Sequence, residues 1–120
     1  MKRLVLAVIL LLNISPALGE PAKLGTGRIY DGNVLHKFCQ DNKGSLKLAC
    51  TGYVIGVIDT TKAMFTVMKQ NNNYFCLPSN ANIEQAIDVV KKWLIENPSA
   101  RHEPATSNVW EALAKAWPCK

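Results

Sequence analysis

The apolar positions fall into blocks, and the first differs in kind from the rest. Leu4 to Leu12 is an unbroken apolar run behind the basic Met1-Lys2-Arg3. Ala17-Leu18-Gly19 follows, with small residues where a signal peptidase cuts. This pattern predicts a signal peptide over residues 1–19. Nine apolar residues are too few for a spanning helix. No cysteine follows the cleavage site, so lipid attachment there is excluded. Residues 20–33 carry Pro21 and several glycines with little periodicity, which reads as a flexible N-terminal arm. Residues 34–120 form the expected helical domain.

Within that domain the apolar spacing is helical. Val34, Leu35 and Phe38 predict a short helix beginning near Asp31 or Asn33, with Gly44 as its C-terminal stop. Leu46, Ala49, Cys50, Tyr53, Val57, Met64 and Met68 recur at three- and four-residue intervals from Ser45 to about Gln70, widened by Val54, Ile58 and Phe65. The β-branched stretch Thr51 to Ile58 also suits a buried strand. The length of the uninterrupted period decides for helix. Gly52 and Gly56 then share a face and are expected to admit a closely packed neighbouring helix. Each costs about 1 kcal/mol relative to alanine.

Asn71-Asn72-Asn73 breaks the period. Asn82 with Gln85 predicts a capping box, and Ile83, Ala86, Ile87, Val90 and Leu94 form the stripe behind it. Asn97-Pro98 ends that helix, because the residue before proline is pushed out of the helical region. Pro104 suits the first turn of a last helix, with Ala105, Val109, Ala112, Leu113 and Ala116 on one face. The expected fold class is all-α, a small disulfide-stapled bundle of about four helices with antiparallel neighbours.

Cys39, Cys50, Cys76 and Cys119 are an even set in an exported chain, so two disulfides are expected. Cys39 ends the first helix where Cys50 begins the second. Cys76 precedes the third where Cys119 follows the fourth. The hairpin geometry therefore favours Cys39–Cys50 and Cys76–Cys119, worth about 2.8 and about 4 kcal/mol by loop-closure entropy.

Charge and candidate chemistry then narrow the function. The formal net charge is +5, but Lys2 and Arg3 belong to the signal peptide. Without them 12 basic residues face 9 acidic ones, or +3, so nucleic-acid and membrane-surface binding gain no support. His36 lies three residues before Cys39, but a disulfide sulfur is no nucleophile. His102, between Arg101 and Glu103, reads as a surface or capping residue. Asp59 sits oddly in an apolar helix. It reads as a rim residue paired with a lysine or an amide, or else as a buried bond to the Arg101-His102 loop. His36 with Met64 or Met68 resembles an axial haem pair only superficially, since methionine at helical spacing fills cores. Trp93, Trp110 and Trp117 suit the core or a protein partner. No catalytic, cofactor or metal set emerges, and a binding protein ranks above an enzyme.

Phe38-Cys39, Cys50-Thr51-Gly52-Tyr53-Val54-Ile55-Gly56-Val57-Ile58-Asp59 and Phe75-Cys76-Leu77-Pro78 together resemble the Rap/Tai family of immunity proteins. Gln85-Ala86-Ile87-Asp88-Val89-Val90, Asn97-Pro98, Arg101-His102, Pro104-Ala105, Ala112-Leu113 and Ala116-Trp117-Pro118-Cys119 extend the likeness from Leu35 to Cys119. Asn82 stands where the family often has a threonine cap. The resemblance implies a periplasmic, all-helical, often dimeric protein without a cofactor. It also implies a partner, a type VI secretion peptidoglycan amidase whose cysteine–histidine cleft is covered. The motif residues are mostly fold residues, so they do not locate the binding surface. Candidates are the turn with Asn72, Asn73 and Tyr74, the loop with Arg101, His102 and Glu103, and the helix face with Lys91, Lys92 and Trp93. The alternative is a periplasmic helical binding module without a toxin partner.

Overall fold

The computed structural model describes residues 29–69 and 73–120. The expected signal peptide, residues 20–28 of the arm and Asn72 lie outside the described residues, while the arm's last two residues, Gly32 and Asn33, already belong to the first helix. Four α-helices make up the domain: α1 (Gly32–Gln40), α2 (Gly44–Met68), α3 (Ile83–Glu96) and α4 (Ala105–Ala116), with a 3-10 turn at Pro98–Ala100 between the last two. No strand forms among the described residues, so the length of the apolar period outweighs the β-branched stretch in α2.

Local chemistry sets the helix ends. The Asp31 carboxylate caps α1 by accepting from the Val34 N–H at 3.0 Å. Asn82 and Gln85 form the expected capping box at the head of α3, each side chain bonded to the other's backbone N–H at 2.9 and 3.0 Å. Gly44 does not stop α1, which ends at Gln40. With φ +79° it starts α2 instead, a left-handed position that glycine adopts without strain. Pro104 stands just before the first helical residue of α4 rather than within its first turn.

α1 packs chiefly on α2 and α3 on α4, the hairpin neighbours expected from the short connections. Leu35, Val54, Val90, Leu94, Val109 and Leu113 meet in the centre at 1% exposure or less. Each fully buried side chain of this kind contributes about 1.5–3 kcal/mol relative to exposure. The disulfides are Cys39–Cys50 and Cys76–Cys119, with Cα separations of 5.0 and 4.9 Å. Cys39 and Cys50 are buried in the core, whereas Cys76 and Cys119 lie at the exposed edge. The second bridge also has a backbone bond, from the Cys76 N–H to the Trp117 carbonyl at 2.9 Å.

A third tie joins the start of the domain to the loop before α4. Gly32 N–H donates to Glu103 O, Asn33 N–H to Arg101 O, and Ala105 N–H to Tyr30 O, all within 3.1 Å. Asn108, 2% exposed, donates its amide Nδ2 to the carbonyls of Ala100, Glu103 and Pro104. Gly32 sits inside this clasp. A Cβ there would lie 2.8 Å from Arg101 Cα and 2.8 Å from Asn108 Nδ2.

The expected close packing at Gly52 and Gly56 is absent. Nothing lies within 4 Å of a Cβ built at either residue. They lie on the outward side of α2, because Cys50, Val54, Val57, Ile58, Thr61 and Phe65 already face the core. Asp59 is on the outward side as well. It is exposed and makes no ion pair or hydrogen bond among the described residues, so neither expected pairing forms.

Candidate functional site

The candidate loops and faces are not equivalent once folded. Arg101 is bound inward. Its guanidinium donates to the Leu94 carbonyl at 2.5 Å and the Ile95 carbonyl at 3.4 Å, while its own carbonyl accepts from Asn33. It therefore closes the end of α3, whose last carbonyls need partners. His102 and Glu103 are exposed, with His102 Nε2 3.0 Å from Glu103 Oε1 and Nδ1 2.7 Å from Ser99 O. On α3, Lys91 donates to Asn42 Oδ1 at 3.2 Å, and Lys92 pairs with Glu96 at 3.9 Å. Trp93 is half-buried, with the Lys115 ammonium 5.4 Å above its ring. Its indole Nε1 is buried without a partner.

Asn73 and Tyr74 fare differently. Tyr74 is 53% exposed and stacks on Trp110, ring centroids 4.7 Å apart and planes within 10°. Phe65 approaches the same ring at 5.6 Å. Trp110 is held from beneath, its Nε1 donating to Thr61 Oγ1 at 2.9 Å, and Thr61 in turn donates to the Val57 carbonyl at 2.6 Å. The stacked pair presents a rigid aromatic surface with little side-chain freedom left to lose on binding.

Two depressions flank this pair. One is a cleft of about 660 Å³ lined by Lys62, Phe65, Lys69, Asn73 and Tyr74 among others, with two lysines and no carboxylate. The other is a groove of about 540 Å³ along α2 lined by Gly52, Tyr53, Gly56, Met64, Thr106 and Trp110, with no charged residue. Tyr53 OH and Thr106 Oγ1, 3.0 Å apart, bridge its floor. This groove on α2 lies apart from the three surfaces that the sequence suggests. The available signal was the apolar character of nearly every face of this helix, too wide for one core contact.

The conceivable reactive groups are not brought together. Cys39 Sγ is in a disulfide, and no cysteine is free among the described residues. His36 Nδ1 is buried without a partner. Burial, and secondarily the Arg101 charge, hold its pKa below the ordinary 6.5. No cluster of three or more His, Cys, Asp or Glu with metal-binding geometry occurs among the described residues.

The described residues form a small all-α domain with two disulfides and an aromatic pair between a basic cleft and an apolar groove. The family model of the Rap1a immunity proteins matches residues 31–119, and the chain belongs to that family. The match spans the whole stapled domain and begins at the residue that caps α1. No curated protein matches the chain.

Proposed function

We propose that this immunity protein acts in the periplasm, where it binds a type VI secretion peptidoglycan amidase and covers its active-site cleft. The family match over residues 31–119 carries the reading. The two disulfides suit an oxidising compartment, and the signal-peptide pattern at residues 1–19 suits export. Inhibition by occlusion needs a firm surface rather than a reactive group.

Of the candidate surfaces, the turn bearing Asn72, Asn73 and Tyr74 fits best. Tyr74 is exposed yet braced by Trp110, and the neighbouring cleft offers Lys62 and Lys69 to acidic groups of the amidase. Arg101, tied to carbonyls of its own chain, serves the fold. The resemblance to an often dimeric family supports a homodimer as its working form.

The test is co-purification of the mature chain with candidate amidases, followed by peptidoglycan hydrolysis assays. Stoichiometric inhibition is expected. Tyr74→Ala should weaken it at least tenfold, and Lys92→Ala should leave it unchanged. If every amidase stays active at micromolar immunity protein, the occlusion reading fails and a binding module without a toxin partner replaces it.

A further inference from the structure

The two disulfides share a stapling role but sit in opposite surroundings. Cys39 and Cys50 are each 2% exposed, and their bridge lies in the core. Cys76 and Cys119 are both exposed. Charge divides them further. Cys76 lines the open cleft that also holds Lys62 and Lys69 and no carboxylate. The depression beside Cys39 and Cys50 carries three carboxylates, Asp41, Glu84 and Asp88, against the two ammonium groups of Lys47 and Lys91. Disulfide exchange begins with an attacking thiolate, which is an anion, and runs faster when the leaving sulfur is readily held as a thiolate. The lysines of the cleft favour both steps at Cys76–Cys119. Burial and a net negative rim oppose them at Cys39–Cys50.

We infer that Cys76–Cys119 is a thiol–disulfide exchange site, opened by a dithiol reductant while Cys39–Cys50 stays closed, and that its opening loosens the Tyr74 surface. One thiolate of the reductant attacks a sulfur of the bridge and forms a mixed disulfide, and the other cysteine leaves as a thiolate. The second thiolate of the reductant then closes its own disulfide and releases the remaining cysteine. Two electrons pass from the dithiol to the protein, and the two protons that the dithiol gives up end on the cysteine sulfurs. The effect on the surface follows from the path of the chain. Tyr74 is two residues from Cys76, whose N–H donates to the Trp117 carbonyl beside the bridge. Without the crosslink this segment gains freedom that binding must remove again, which costs affinity. The core keeps its closed bridge and its apolar centre, so the helices persist. The exchange site stands by itself, and only its effect on inhibition rests on the immunity reading.

The test is timed reduction of the mature protein by dithiothreitol under native conditions, with free thiols trapped by alkylation and mapped by mass. Cys76 and Cys119 should be labelled about 100-fold faster than Cys39 and Cys50, with the helical spectrum retained. Hydrogen exchange at the Cys76 amide should accelerate about tenfold once that pair is open, and amidase inhibition should weaken about tenfold. The double variant Cys76→Ser with Cys119→Ser should show the same weakened inhibition, and reductant should not change it further. Labelling of all four cysteines together, earlier labelling of Cys39 and Cys50, or helix loss in step with the first labelling overturns the exchange site. Selective labelling with unchanged exchange at Cys76 overturns the link to the Tyr74 surface. If the oxidised protein inhibits no amidase, the immunity reading fails, while the labelling order and the Cys76 amide still decide this inference.

Discussion

Gly32 and the pair Gly52 and Gly56 are the same residue type in helices of one small domain, yet they do opposite things. Gly32 lies in the clasp between the head of α1 and the loop before α4, where the Arg101 backbone and the Asn108 amide leave no room for a methyl group. Gly52 and Gly56 face open space, where a methyl group meets nothing. In the clasp, glycine is required by backbone contact within the chain. On the outer side of α2 it costs helix stability and leaves a groove. The difference separates a residue that holds the fold from residues that shape a surface, although a helix-propensity scale scores all three alike.

The sharpest way to break this contrast is at the clasp itself. Asn108→Ala removes the donor to three carbonyls and opens a cavity beside Gly32, so a loss of about 3 kcal/mol is expected in denaturant unfolding. A loss below about 1 kcal/mol would show that water replaces the amide easily. Gly32→Ala should cost about 2 kcal/mol despite alanine's better helix propensity, because backbone atoms of Arg101 must move. Gly52→Ala and Gly56→Ala should each stabilise the chain by about 1 kcal/mol when measured at concentrations low enough to keep it monomeric. Destabilisation at every dilution would mean that something in the same chain packs there.

The smallest effect is on pH. The folded-state pKa of His36 is lowered, so the folded protein binds fewer protons than the unfolded chain just below neutrality. The associated stability is present above the ordinary histidine value of 6.5 and is lost as pH falls through the lowered folded value. Unfolding midpoints from about pH 7.5 to about pH 5 should show a shallow decline, and His36→Gln should flatten it. An unchanged slope in the variant would place the acid-sensitive group elsewhere. His36 lies in α1 with Arg101 as its charged neighbour, so this prediction probes the clasp side of the molecule.

Local rules read along the chain carried the helices a long way. The apolar period of α2, the Asn82–Gln85 capping box and the Asn97-Pro98 break each depend on neighbours within a few residues, and each appears in the fold. The disulfide pairing was legible for the same reason, since short connections force helices α1 and α2, and α3 and α4, side by side. Local rules fail where a residue's role depends on distant chain. Glycine signals a helix stop, which points Gly44 to the end of α1, but the same left-handed backbone also serves a helix start. Gly52 and Gly56 were expected inside a helix contact because spacing shows which residues share a face and not which side that face turns to.

The candidate surfaces divide along the same line. That Arg101 is spent on the carbonyls of Leu94 and Ile95, while Tyr74 stands exposed on Trp110, follows from contacts over 36 residues or from the folding back of a loop. No local pattern records these. Helix positions, caps, the cysteine pairs and membership of an immunity family were thus set by residues near one another in the chain or by their order. Which side of α2 is left open, which loop is locked and which aromatic pair is presented were decided only by packing, because burial is a property of the whole assembly of helices.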